Sequence, residues 1–151
     1  MTLAAGFQSN LLTGLAVHLA ANGLGATWNT SGAYTALQTG LVLGSIPQSP
    51  DRIITLTVYD SDDDPALSDS AVRVQVRCRA EGGDKRKVDD LDDAIFNLLQ
   101  NKLDVTLSTG VTVGQIHRVS GPASLGQDGN SRWSTSSNYS VAAHRPSANR
   151  T

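Results

Sequence analysis

The stretch Ser70–Ala80 constrains the fold more than any other part of the chain. Val72, Val74, Val76 and Cys78 alternate with Arg73, Gln75, Arg77 and Arg79. Successive side chains of a strand point to opposite faces, so this period of two describes a strand with one buried face and one wet or partnered face. A sheet built around it has an apolar side that needs cover, and the sequence offers two helices for the purpose.

The first spans residues 4–22. Leu11, Leu12, Leu15, Leu19 and Ala20 recur at three- and four-residue steps, and Gly23 or Gly25 stands where a helix stops. The second covers residues 86–103, with Val88, Leu91, Ile95, Leu98, Leu99 and Leu103 along one side. Asp89, Asp90, Asp92 and Asp93 crowd its first turns, where the helix dipole favours negative charge, and Lys102 sits at the far end.

Further strands are expected at 41–46, closed off by Pro47 and Pro50, and at Ile53–Tyr59, with Ile54, Leu56 and Val58 on one face. Val105–Leu107 and Val111–Ser120 flank a tight Ser108–Gly110 turn, and Arg132–Ala143 is a long polar strand with Trp133, Tyr139 and Val141 as its larger inward candidates. Gly126–Asn130 provides hairpin chemistry before it. Residues 26–40 read as a loop with at most a helical turn at Tyr34–Gln38, and Asp60–Pro65 as a polar loop. These elements predict an α+β fold: a mostly antiparallel sheet with two main helices packed on one face. One domain over residues 1–145 and a flexible tail over 146–151 fit a chain of 151 residues.

The charge is placed unevenly. All 12 basic and 14 acidic residues lie beyond Pro50, so the first third has no Asp, Glu, Lys or Arg. That segment is either a neutral polar surface or a surface covered by other chains, and the depletion of charge at interface cores favours the second. Acids concentrate between Asp60 and Asp104, whereas beyond Asp104 the single acid Asp128 faces Arg118, Arg132, Arg145 and Arg150. An acidic middle and a basic end let copies attract one another head to tail. The net charge of −2 gives no basic excess for gripping phosphate backbones. No apolar run approaches a membrane span, and no Lys or Arg opens a signal peptide, so the chain reads as soluble and unexported.

Motifs for chemistry are mostly missing. Asp60-Ser61-Asp62-Asp63-Asp64 resembles the opening of a calcium loop, but Pro65 and Ala71 stand where that loop needs Gly and Glu. A solvated acidic loop, a loose cation contact, or a loop facing a pore or a basic neighbour remain as readings. His18, His117 and His144 are scattered, with no ligand partner at metal-binding spacing. No Gly-x-Ser-x-Gly elbow and no phosphate loop occurs, and Cys78, the single cysteine, falls on the inward face of its strand. Neither a cofactor nor a catalytic residue is read from the chain. The outward row Arg73, Arg77 and Arg79 is either a solvated face or is answered by carboxylates of the second helix, in the same or a neighbouring chain.

Taken together, the uncharged first helix, Leu-Val-Leu-Gly-Ser-Ile-Pro at 41–47 leading into Ile53–Tyr59, the strand Val72–Arg79, the helix around Val88–Ile95 and the closing Gly121-Pro122, Leu125–Asp128 and Asn138–Val141 stretches resemble the tail-terminator family of long-tailed bacteriophages. The resemblance covers residues 1–146. It implies a structural virion protein, not an enzyme, assembled in the host cytoplasm as a ring of six copies at the head-proximal end of a tail tube. Its partners would be further copies of itself, the tail tube protein and a head–tail connector or stopper, with DNA passing through the lumen without sequence-specific contact and no membrane involved. On this reading Arg73, Arg77 and Arg79 pair with Asp89, Asp90, Asp92 or Asp93 of a neighbouring copy, and Asp60, Asp62, Asp63 and Asp64 face the lumen. A head-side stopper of the neck is the alternative, and a small hydrolase or a calcium-dependent module are rivals of other classes.

Overall fold

The computed structural model describes residues 3–150, so the first two residues of the uncharged segment and the last of the expected tail lie outside it. Helix α1 (Phe7–Ala21) is followed by strands β1 (Ala26–Trp28), β2 (Thr39–Leu43), β3 (Ile53–Asp63) and β4 (Asp69–Ala80). Helix α2 (Arg86–Leu99) then precedes β5 (Lys102–Thr106), β6 (Thr112–Gln127) and β7 (Trp133–His144). The alternation that marked β4 is realised as read: Val72, Val74, Val76 and Cys78 are buried, and Arg73, Gln75 and Arg77 lie half-buried on the other face. Leu11, Leu15 and Leu19 of α1 and Val88, Leu91, Ile95 and Leu99 of α2 are buried, each fully buried aliphatic contributing about 1.5–3 kcal/mol. Gly23, at φ +77°, follows the end of α1.

All seven strands form one sheet in the order β1-β2-β3-β4-β7-β6-β5. The expectation of a mostly antiparallel sheet with two helices packed on one face is overturned. The sheet is a curled half-barrel of mixed direction, with strand making up 45% of the described residues and helix 20%. β1 pairs with β2 in parallel, and β2 with β3 in parallel; only the remaining pairs are antiparallel. The helices also divide the sheet between them, α1 touching β1, β2 and β3 and α2 touching β4, β6 and β7. Parallel neighbours normally need a helical crossover, whereas here residues 29–38 and 44–52 cross without one.

Two features make such crossovers possible. Gly40 lies under the Tyr34 ring, and a Cβ at that position would meet ring carbons at 2.8 Å; the Tyr34 hydroxyl then donates to the Leu41 carbonyl. The second crossover is pinned by two buried arginines described below. Other boundaries also shift from expectation. β1 lies in the expected 26–40 loop, β3 runs through the expected polar loop as far as Asp63 with a bulge at Tyr59, and α2 ends at Leu99 because β5 takes residues 102–106.

Val72, Val74, Val76, Cys78, Tyr139 and Val141 share a core with both helices and with Ile54 and Leu56. Register places Thr55, Arg73, Gln75, Arg77, Arg79, Ser136, Asn138 and Ser140 on the face away from that core. Near its C terminus the chain folds back: the Arg150 guanidinium donates to the carbonyls of Leu67 (2.9 Å) and Asp69 (3.0 Å).

Candidate functional site

Arg73, Arg77 and Arg79 share one strand face but have different surroundings. Arg79 is only 5% exposed, and its guanidinium donates to the carbonyls of Asp51 (3.0 Å), Pro47 (2.8 Å), Gln48 (3.4 Å) and Pro50 (2.7 Å). Beside it, Arg132 donates to the Gln48 carbonyl (2.6 Å), the Gln48 side chain (3.1 Å), and the carboxylates of Asp51 (3.2 Å) and Asp128 (2.8 Å). Two guanidiniums thus hold one short crossover, satisfying carbonyls that a buried loop would otherwise leave unpaired.

Arg73 and Arg77 form no ion pair among the described residues, and the Arg77 Nε is buried without a hydrogen-bond partner. Their cross-strand neighbours are Ser140 and Ser136 on β7, and Asp60 and Thr55 on β3. Two arginines therefore stand on a polar sheet face whose strand acids, Asp60, Asp62 and Asp69, lie beside Arg73 and toward the hairpin end, and none of them forms an ion pair with either arginine.

The acids of α2 separate in the same way. Asp92 is buried at 1% exposure, where it accepts from the Ser137 hydroxyl (2.8 Å) and lies 3.5 Å from the Arg118 guanidinium. Burial raises its carboxyl above the ordinary range, against the opposing pull of Ser137 and Arg118. Arg118 in turn stacks on the Phe96 ring at 4.2 Å. Asp89 is bridged to Lys85 at 2.8 Å. Asp90 and Asp93 are exposed and make no ion pair among the described residues. Within one chain the structure joins none of the three arginines to any of these four acids; it leaves Arg73, Arg77, Asp90 and Asp93 free and commits Arg79 and Asp92 to internal roles.

Asp60, Asp62, Asp63 and Asp64 are all exposed along the β3–β4 hairpin. Hydrogen bonds from the Ser70 and Ser61 hydroxyls hold the Asp63 carboxyl below its usual range, and the backbone N–H groups of Leu67 and Ala66 do the same for Asp64. Among the described residues no group of three or more His, Cys, Asp or Glu side chains is placed to hold a metal ion. His144 Nδ1 lies 3.0 Å from the Ser68 hydroxyl and 3.3 Å from Asp69, so both neighbours share one ring nitrogen, which is not the relay of a Ser-His-Asp triad. Cys78 is buried and its thiol pKa is pushed far up by burial. No helix among the described residues is long and apolar enough to cross a membrane.

A family model, described as bacteriophage tail terminator protein, matches residues 18–145. The chain belongs to the bacteriophage tail terminator family. Membership makes it a structural tail protein of a phage virion. Its fold is similar to that of a chain from the virion of a native gene transfer agent particle, with a TM-score of 0.61 and 12% identity, covering 93% of this chain and 99% of that one. No curated protein sequence matches it significantly.

Two residues of this tail terminator that matter to the site escaped the sequence reading. The sequence puts Arg132 at the start of a strand and among the basic residues of the end, but does not mark it as the buried partner of Asp128 four residues earlier. Asp92 was counted with its exposed neighbours, although its spacing from Val88 and Ile95 puts it on the apolar stripe of α2.

Proposed function

We propose that this chain closes the head-proximal end of a tail tube as a ring of six copies, ending tube polymerisation and offering the surface that joins the tail to the head connector. The match to the tail terminator family over residues 18–145 carries the reading. The ring is supported by unanswered charge of both signs on two surfaces of one chain: Arg73 and Arg77 on the sheet, Asp90 and Asp93 on α2. Unlike surfaces that complement each other make heterologous contacts, which close into a ring when the rotation between copies closes. In this ring Asp90 and Asp93 of one copy face Arg73 and Arg77 of the next, while Asp89 stays shared with Lys85. The role is mechanical, with no catalytic step and no cofactor.

The acidic hairpin from Asp60 to Asp64 is assigned to the lumen wall, where like charge keeps passing DNA from adhering. Replacing Asp62, Asp63 and Asp64 by Lys slows genome delivery on this account; delivery at the parental rate removes the assignment. The function itself is tested by omitting the protein during tail assembly. The expected product is tubes of extended and irregular length that fail to join heads, restored by adding purified protein. Tubes of normal length, with failure confined to filled heads that leak, would place the protein on the head side of the neck instead.

A further inference from the structure

The two crossovers enclose a concavity of about 340 Å³ between residues 29–32 and 45–47, lined by Trp28, Ser31, Val42, Leu43, Ser45 and Pro47 among others, none of them charged. Both walls are fixed in the free subunit. Asn29 accepts from the Ser31 backbone (3.0 Å) and hydroxyl (2.8 Å) and donates to the Ala33 carbonyl (3.0 Å), while in the opposite wall Arg79 donates to the Pro47 carbonyl (2.8 Å) and Arg132 to that of the adjoining Gln48 (2.6 Å). A preorganised, uncharged groove loses little entropy on receiving a partner.

At the far end of the same sheet, β5 covers β6 only as far as Ile116. Beyond it Val119–Leu125 is exposed throughout, with Val119 40% and Leu125 48% exposed, and no charge occurs from Val119 to Gln127. Free edges are normally guarded by charge or irregular backbone. The β5 edge follows that rule with Lys102, Asp104 and a positive φ at Asp104. The β6 segment has no charge; Pro122 and the register shifts at Ser120/Ala123 and Ser124/Gly126 cut it into lengths too short for continuous strand addition, but leave its apolar side chains exposed.

We propose that the uncharged groove of one copy receives the Val119–Gln127 segment of a second copy, with Leu125 as the anchoring side chain. The proposal rests on the ring reading and specifies how neighbours meet. Absence of charge is matched on both sides, as at the centre of an interface. Groove and segment lie at opposite ends of one sheet, so the contact repeats from copy to copy. The same side of the donor copy carries α2, tied to β6 where the Gln100 side chain accepts from the Arg118 N–H at 2.7 Å. Asp92, between Asp90 and Asp93, lies 3.5 Å from Arg118 of β6, so the acids of α2 and the uncharged segment that follows Arg118 belong to the same end of the donor's sheet.

Cys78 is the single cysteine and is buried, so engineered thiols report without background. Ser45→Cys with Ser124→Cys is expected to give, on oxidation of assembled protein, a ladder of covalently joined chains ending at the copy number of the ring, while either single variant gives nothing beyond a dimer. Leu125→Asp is expected to lower the assembled fraction at least tenfold with an unchanged circular dichroism spectrum. Rings seen by native mass spectrometry or on tube ends that lack the Ser45–Ser124 cross-link, or that form undiminished with Leu125→Asp, would overturn the contact and leave the ring reading standing. Absence of any ring, free or on tail tubes, would overturn both.

Discussion

The two halves of the sheet solve the same problem by different means. The β4, β7 and β6 half is antiparallel, is backed by α2, and presents Arg73 and Arg77 on its other face without partners. In the β1, β2 and β3 half the strands run parallel, joined by crossovers that carry no charge before Asp51 and that two buried arginines and Tyr34 hold in place. Arginine on the same strand face is thus an internal support at position 79 and an unanswered charge at positions 73 and 77. What lies over a side chain decides its role, and residue type and periodicity do not report that.

The sharpest way to break the comparison is to remove the internal support. Arg79→Leu leaves the carbonyls at Pro47, Gln48, Pro50 and Asp51 without their donor and should cost about 3–5 kcal/mol of stability. Chemical denaturation measures the loss, and hydrogen exchange should rise first in residues 44–52. A loss under about 1 kcal/mol would mean that the crossover holds itself. Next in size is Gly40→Ala, whose Cβ would sit 2.8 Å from the Tyr34 ring. Moving that ring should cost about 1–3 kcal/mol and loosen β1 from β2 while leaving β4–β7 protected.

A smaller effect separates the halves by pH. Burial raises the Asp92 carboxyl, so the folded state holds that proton more tightly than the unfolded chain, whose carboxyl titrates near pH ~3.9. The stability from this group is full below the unfolded value and is lost as pH rises through the raised folded value. Asp92→Asn removes that dependence, so the variant should gain on its parent between pH 4 and pH 7 in thermal melts. A difference independent of pH would show that Arg118 and Ser137 offset the burial completely. The smallest effect on the monomer belongs to Arg77→Glu, expected within about 0.5 kcal/mol of the parent because no ion pair is broken. Its assembly should nonetheless fall sharply, and assembly at the parental level would remove Arg77 from the interface.

Much of the antiparallel half was legible in the sequence because its signals are local. The alternation of Val72–Cys78 and the apolar stripe of α2 each fix an element by themselves. In the parallel half the strands near 41–46 and Ile53–Tyr59 were legible, whereas β1 and the parallel pairing were not. The three-residue β1 has too few positions for a period to show, and the pairing depends on contacts distant in sequence, such as Arg132 reaching Gln48. Of the candidate site, the grouping of free cations and free acids was readable, whereas the diversion of Arg79 and Asp92 into the interior was not, except for the stripe position of Asp92. The missing charge before Pro50 was visible at once, but only the fold shows that part of that uncharged segment builds a groove.

The central claim is that copies join through unlike surfaces into a closed ring of six. Native mass spectrometry of the purified protein over a concentration series, repeated on protein bound to isolated tail tube ends, tests it most directly. The account predicts a species of six chains, free or on the tube end. A stable dimer at every concentration that never caps a tube would contradict it.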